Sequence, residues 1–423
     1  MALRASIGWL DFGEEDQRRA REYLAQFKGD NTLDELGFGT IRDALADLFF
    51  PGTNTIMTRT RYLVFIPALC MAVEREKLAG KNAERRLKEL EDELRKVLSR
   101  EEPTGVIGER AKESLSRYPS SIYWNSLRRL GVFLRPHWGL GYYLSHLAEF
   151  HKAMEAEKDD DGLSHLSNPE WRNWDKPLCD LLNDGQSFVT SKGEIPPSLG
   201  FALTRQEARY LQAKYKALAQ KDGRPSLLSY LLENLPAESF TYPWEVPYPP
   251  ALAQHVHHAR CFSMFTRGAT LQYFQLLQEE RQVQGIDDAI CDYADVFARW
   301  WEATRDDLIG WNVDEFLNLH GVQTAIRRND RTFIKSWHGV NVKAANALEM
   351  WGNLDSRTLI RQRERVARPH KARLHHAEYL QRWKPFSSAD LANIPGDQNR
   401  IRYALDYRGW IGSTFVQDIM AGL

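Results

Sequence analysis

The run from Arg357 to Lys384 is the stretch whose side chains are best suited to meeting a ligand. It holds nine basic residues, Arg357, Arg361, Arg363, Arg365, Arg368, Lys371, Arg373, Arg382 and Lys384, against two acidic ones, Glu364 and Glu378. That local excess sits in a chain with a net charge of -1. Cationic groups at this density can neutralise phosphates, and binding of that kind weakens steeply with salt. Tyr379 and Trp383 could stack on bases if a strand reached them. The same face could instead pair with an acidic partner protein or with acidic stretches of this chain. The expected phosphate contacts are Arg361, Arg363, Arg365, Arg368, Lys371 and Arg373.

A second basic pair, Arg128 and Arg129, lies in the segment Pro119-Ser-Ser-Ile-Tyr-Trp-Asn-Ser-Leu-Arg-Arg-Leu-Gly. Ser120 or Ser121 can cap a helix there, and Gly131 can end it. With a short helix from Glu109 to Arg117 before it and Val132-Phe-Leu-Arg as the start of a wing, this reads as a helix-turn-helix element. Its second helix could enter a major groove. Two short helices of an ordinary helical domain would look the same, since this geometry is generic.

Other candidates for chemistry are thinner. Asp43 and Asp47, one helical turn apart, could be a carboxylate pair for metal or acid/base work, or an arginine-paired face. Gly37-Phe-Gly-Thr40 before a helix could present amides to a phosphate, but it lacks a P-loop's length and its lysine. His255 and His258 could share a metal, but two imidazoles need further ligands. There is no GxSxG, HExxH, Walker A, GxGxxG or HxK signature. No catalytic, cofactor-binding or metal-binding residue is assigned on this reading.

These residues must be carried by helices. The stretch Asp34 to Pro67 combines glycine turns with Ile41, Ala44, Leu45 and Leu48 at helical spacing, a Pro51-Gly52 stop, and an apolar run that Pro67 could kink or restart. Burial of Ile41, Leu45, Leu48 and Phe65 is expected. Glu14 to Phe27 reads as an amphipathic helix. Asn82 to Arg100 carries Leu87, Leu90, Leu94, Val97 and Leu98 on one stripe. Thr204 and Glu207 form a capping box ahead of a helix to Ala219. Ser226 caps the next short helix. A long helix spans about Pro250 to Arg281, and the next has a core stripe of Tyr293, Phe297, Trp300 and Trp301. Ile7 to Phe12 reads as a short strand or an extended lead-in, and Leu199 to Leu203 as a short strand. The fold class is therefore mainly α, with few short strands. The expected domains are a multi-helix N-terminal domain over 1–155, an irregular connector over 156–250, and a helical array over 251–423 with the basic segment 357–384.

Composition narrows the class further. The 423 residues are 43% apolar and 27% charged, an ordinary globular balance. Four dispersed cysteines, Cys70, Cys179, Cys261 and Cys291, form no CxxC pair, which argues against a zinc ribbon or redox motif. No apolar run reaches membrane-spanning length and the first residues lack a signal-peptide core, so a cytoplasmic protein with no membrane contact is expected.

The segments IGWLDFGEEDQRRAREYL, DELGFGTIRDALADLFFPGTNTIMTRTRYLVFIP, GERAKESLSRYPSSIYWNSLRRLGVF, FALTRQEARYL, PWEVP and ALDYRGWIGSTFVQDI resemble, in order, the DUF6361 family of bacterial proteins. The resemblance implies an association with antiviral defence loci, beside helicase-like and phospholipase-D-like nuclease genes. The expectation is a non-catalytic subunit of an anti-phage complex that binds DNA, or helicase-like and nuclease-like partner proteins, through basic surfaces. A metal-dependent nuclease with scattered carboxylates and a purely structural adapter are the alternatives. No cofactor is expected.

Overall fold

The computed structural model describes residues 36–109, 115, 117–156, 172–183, 188–190, 193–221, 223–234, 239–286, 293–367, 376–382 and 401–423. Seventeen α-helices are present among them: α1 Gly39–Phe49, α2 Tyr62–Arg75, α3 Gly80–Glu101, α4 Pro119–Arg129, α5 Leu140–Ala156, α6 Lys176–Leu182, α7 Arg205–Lys221, α8 Leu227–Asn234, α9 Ala253–Val283, α10 Tyr293–Ile309, α11 Val313–Asn318, α12 Val322–Ala325, α13 Arg328–Asn341, α14 Ala347–Gly352, α15 Leu354–Ala367, α16 His376–Arg382 and α17 Gly409–Gly422. The fold is mainly α. The expected strand at Leu199 to Leu203 does not form, and Phe201 is instead buried against Tyr62 and Phe65. The expected strand or extended lead-in at Ile7 to Phe12 and the expected helix at Glu14 to Phe27 lie outside the described residues.

The chain divides into two compact units, each assembled from three separated segments rather than from consecutive stretches. One comprises Met1–Gly39, Gly268–Glu302 and Arg327–Pro395; the other comprises Thr40–Arg267, Ala303–Ile326 and Gly396–Leu423. Helices α9 and α10 each contribute residues to both.

In the larger unit, α2 is buried on every side from Tyr62 to Val73, as its continuous apolar run requires. Pro67 lies inside this helix. Helices α3 and α4 pack on α2, and α5 lies along α3. Ile41, Leu45, Leu48 and Phe65 are all buried, as is the α3 stripe from Leu87 to Leu98. The Thr204–Glu207 capping box forms in full: the Thr204 amide donates to Glu207 Oε2 at 2.7 Å and the Glu207 amide to Thr204 Oγ1 at 3.3 Å. The other Glu207 oxygen accepts from the buried Arg61 guanidinium at 3.1 Å, so one side chain caps α7 and ties it to α2. Ser226 Oγ accepts from the Ser229 amide at 3.1 Å and starts α8.

Two buried carboxyls hold this unit together. Glu74 at the end of α2 has one oxygen that accepts from Tyr143 Oη at 2.6 Å, Asn173 Nδ2 at 2.9 Å and Trp174 Nε1 at 3.1 Å. Burial pushes its pKa up, and these donors pull against that shift. Around it, Trp124, Phe133, Tyr143 and Trp174 form a box of rings with centroids 4.6–6.0 Å apart. Such ring clusters bury large areas in edge and tilted contacts.

Glu91 on α3 accepts from the Ser120 amide at 2.6 Å and shares a 3.0 Å hydrogen bond with Ser120 Oγ. A serine expected to cap α4 from within its own chain segment is thus bound by a carboxyl from α3, while Pro119 occupies the first helical position. Burial pushes the Glu91 carboxyl up to about 8, against its ordinary 4.5. The folded state keeps a proton that the unfolded chain releases, so this contribution to stability is complete below pH 4.5 and is lost as pH rises towards 8. A Glu91→Gln variant keeps an acceptor for the Ser120 amide but cannot ionise. Its melting temperature should match that of the wild type near pH 5 and exceed it above pH 8, by about 2–4 kcal/mol in stability. A wild-type-to-variant difference that stays flat across this range would show that Glu91 is ionised throughout.

In the smaller unit, the expected α10 stripe of Tyr293, Phe297, Trp300 and Trp301 is buried, Phe274 of α9 packs on Tyr293, and the Trp351 ring of α14 lies tilted 4.7 Å from Phe297. Gln272 Oε1 joins two elements by accepting from Trp337 Nε1 at 3.0 Å and from Ser356 Oγ at 2.7 Å. Gly268 of α9 lies directly under the Trp300 ring.

Candidate nucleic-acid interface

The basic strip separates into residues of different kinds. Arg363 is not a surface residue. Its side chain is 3% exposed; Nη1 contacts Asp330 Oδ1 at 2.6 Å, Nε donates to the Leu36 carbonyl at 2.5 Å and Nη2 to the Gly37 carbonyl at 2.9 Å. The rings of Phe38 and Phe333 lie 4.9 and 5.7 Å from the guanidinium. A guanidinium buried this fully needs a carboxylate and further acceptors, and it has them. It cannot also face a phosphate. Arg361 pairs with Glu280 at 2.8 Å and Glu364 at 3.1 Å, and Arg357 pairs with Glu279. The acidic end of α9 therefore takes up part of the charge excess. Arg365 is exposed. Arg368, Lys371, Arg373 and Trp383 lie outside the described residues.

Asp43 and Asp47 are an arginine-paired face. Arg408 reaches Asp47 at 2.6 Å and Asp43 at 3.3 Å, Arg42 reaches Asp43 at 3.1 Å, and Arg129 reaches Asp47 at 3.3 Å. Guanidinium groups stand where a divalent ion would have to sit. Arg408 also donates to the Thr53 carbonyl from a left-handed backbone, φ +64°, directly after Tyr407 at +52°.

His258 is a buried acceptor: its Nδ1 receives Trp311 Nε1 at 3.0 Å, and burial, followed by the nearby His257 and His255, holds its pKa down to about 4. His255 lines an open cleft of about 450 Å³ with His320, Asp314 and Glu315. Among the described residues, no group of three or more His, Cys, Asp or Glu side chains is arranged to hold a metal ion. No helix among them is long and apolar enough to cross a membrane.

The other nominated pair stands at a corner between α4 and α5. Arg128, at the C-terminal turn of α4, donates from Nε to the Pro136 carbonyl at 2.6 Å, in an exposed hydrogen bond that holds the loop 131–139. Within that loop Arg135 lies 5.7 Å from the centre of the Trp138 ring, and His137 is exposed. The Trp138 carbonyl accepts from Trp124 Nε1 at 2.9 Å, which ties the loop to the buried ring box. Val132 and Phe133 do not open a wing. They are buried, and Phe133 makes a single antiparallel bridge with Trp174. Of the helix expected before α4, residues 110–114 and 116 lie outside the described residues, so a helix-turn-helix pair is not described.

Along α5 the corner continues with rings. Trp138 and Tyr142 meet edge to face at 5.0 Å, and Tyr142 and His146 stack at 3.7 Å with planes 20° apart. His146 Nδ1 lies 2.9 Å from the Tyr142 carbonyl, so this nitrogen carries the proton in that contact. Reading the sequence for charge missed these three residues. Their signal was the four-residue spacing of Trp138, Tyr142 and His146 beside Arg135.

The family model for DUF6361, described as a family of unknown function, matches residues 4–398. The chain belongs to the DUF6361 family. No curated protein and no solved structure matches it. In this DUF6361 chain, the corner of α4 and α5 brings the half-buried Arg128 and Arg135 together with the half-buried rings of Trp138 and His146 and the exposed ring of Tyr142.

Proposed function

We propose that this DUF6361 chain is a non-catalytic subunit of a bacterial antiviral complex, which holds DNA, or helicase-like and nuclease-like proteins seated on DNA, through local basic surfaces. The observation that carries this reading is the corner where Arg135 stands beside the half-buried Trp138 ring, Arg128 holds the loop that carries it, and Tyr142 is exposed on α5. A nearly neutral protein can bind a polyanion through such a patch, because local potential rather than net charge steers the encounter. The pairing of Asp43 and Asp47 with Arg408, Arg42 and Arg129 speaks against the nuclease alternative at that site. The antiviral setting is part of the proposal and is taken from what the resemblance implies.

The test is equilibrium DNA binding by the full chain across a salt series. Replacing Arg128 and Arg135 together with Gln should weaken binding on all sequences alike and flatten the salt slope by roughly two units, one per lost phosphate contact. Melting temperature should move little, since partly exposed charged groups contribute little to folding. Equal affinity and slope for variant and wild type would remove this corner as a DNA contact. Loss of co-purification with a helicase-like or nuclease-like partner, with DNA binding unchanged, would make the chain a protein adapter.

A further inference from the structure

Helix α5 carries two adjacent tyrosines with opposite fates. Tyr143 is fully buried in the ring box and donates to Glu74, whereas Tyr142 is 49% exposed. Side chains four residues apart rise along one side of a helix, so Tyr142 and His146 share a face, and Trp138 joins them from just ahead of the first turn. The three rings touch one another: Tyr142 lies over His146 at 3.7 Å, with Trp138 centred 5.0 Å from Tyr142 and 5.9 Å from His146. Leaving a tyrosine half in water forgoes the burial that its neighbour gains. The ladder is also held in place from below, through the Trp138 carbonyl on Trp124 and the Pro136 carbonyl on Arg128.

We infer that Trp138, Tyr142 and His146 form a stacking platform for unpaired bases of single-stranded DNA, whose phosphates pass Arg128 and Arg135. This rests on the reading of the chain as a DNA-binding subunit and specifies which form of DNA it takes. Within a duplex both faces of a base are already covered by its neighbours, so only a base freed from the stack can lie on a protein ring. Every base has such a face, so the platform accepts any sequence. The cations supply the second half of the match. Arg135 stands beside the Trp138 ring and Arg128 holds the loop that carries it, so base and backbone would meet their partners over one short surface. Glu149, one turn beyond His146, is exposed on the same helix and places an acid at the far end.

The experiment compares three DNAs of equal length with the full chain: oligothymidylate, an abasic strand and a duplex. Oligothymidylate should bind at least tenfold more tightly than the abasic strand. Trp138→Ala with Tyr142→Ala should weaken oligothymidylate binding roughly ten- to a hundredfold. The same change should leave abasic-strand affinity and the salt slope nearly unaltered, because the rings carry no charge. Tyr142→Phe keeps the ring and should bind as the wild type does, which separates stacking from a hydroxyl contact. Unchanged circular dichroism and melting temperature would show that the double variant is folded. Equal binding of oligothymidylate and the abasic strand by the wild type would overturn the platform and leave the charge-based DNA reading standing. Binding of none of the three DNAs would overturn both.

Discussion

Replacing Arg363 with Met is expected to destabilise the chain by about 3–5 kcal/mol, the usual consequence of stripping one partner from a buried ion pair. The methionine would fill much of the volume but leave the Asp330 carboxylate, 4% exposed, without its guanidinium, and the Leu36 and Gly37 carbonyls without their donors. Asp330 would keep one contact, the Arg327 amide at 2.9 Å, which is too little to hold a buried charge. Arg363→Lys should recover only part of the loss, since an ammonium cannot reach three acceptors spread around a planar fork. Arg365→Met, two residues along the same helix and exposed, should change stability by less than about 0.5 kcal/mol. Denaturant midpoints of the three variants decide the matter. A loss of under about 1 kcal/mol for Arg363→Met would mean that Asp330 finds water or another donor when the guanidinium is gone.

The second large effect is expected at Gly268. A Cβ there would collide with the Trp300 ring, and Trp300 is fully buried. Gly268→Ala should therefore destabilise by about 3 kcal/mol or more through overpacking. In an open helix the same exchange would stabilise by about 1 kcal/mol. Gly339 provides the internal contrast. It lies within α13, nothing stands within 4 Å of its virtual Cβ, and Gly339→Ala should raise the melting temperature. Adding Trp300→Phe to Gly268→Ala should restore part of the loss, because the shorter ring vacates the contested space. If the two alanine variants shift the melting temperature in the same direction, close helix–ring contact is not what keeps Gly268 small.

The parts of this molecule that could be read from sequence are those set by neighbours along the chain. Helical periodicity placed Ile41, Leu45 and Leu48 inside, and a local pair of side chains fixed the start of α7. The failures share a different cause. Arg363 looked like one of several surface arginines because its acceptors, the Leu36 and Gly37 carbonyls, are 327 and 326 residues away in sequence. The Glu91 carboxyl takes over the start of α4 from a different helix, and no local pattern announces that. For the corner of α4 and α5, the sequence contains every residue, but two consecutive tyrosines do not say which one turns inward. That choice is made by the Glu74 carboxyl and the ring box, which are assembled from three separate stretches of chain.

Arg59, just ahead of α2, is held by Asp418 of α17 at 3.0 Å, and the same carboxylate accepts from the Thr60 amide at 2.9 Å. The two ends of this contact are 359 residues apart in sequence. At a ribosome's pace of about 5–20 residues per second, they are synthesised roughly 20–70 seconds apart. During that time the apolar run of α2 exists without the helix that anchors its start. A growing chain in this state is a natural client for a chaperone, and a chain cut short ahead of α17 would remain one. Yield in cells should therefore respond to translation speed and chaperone supply more strongly than the stability of the finished protein would suggest.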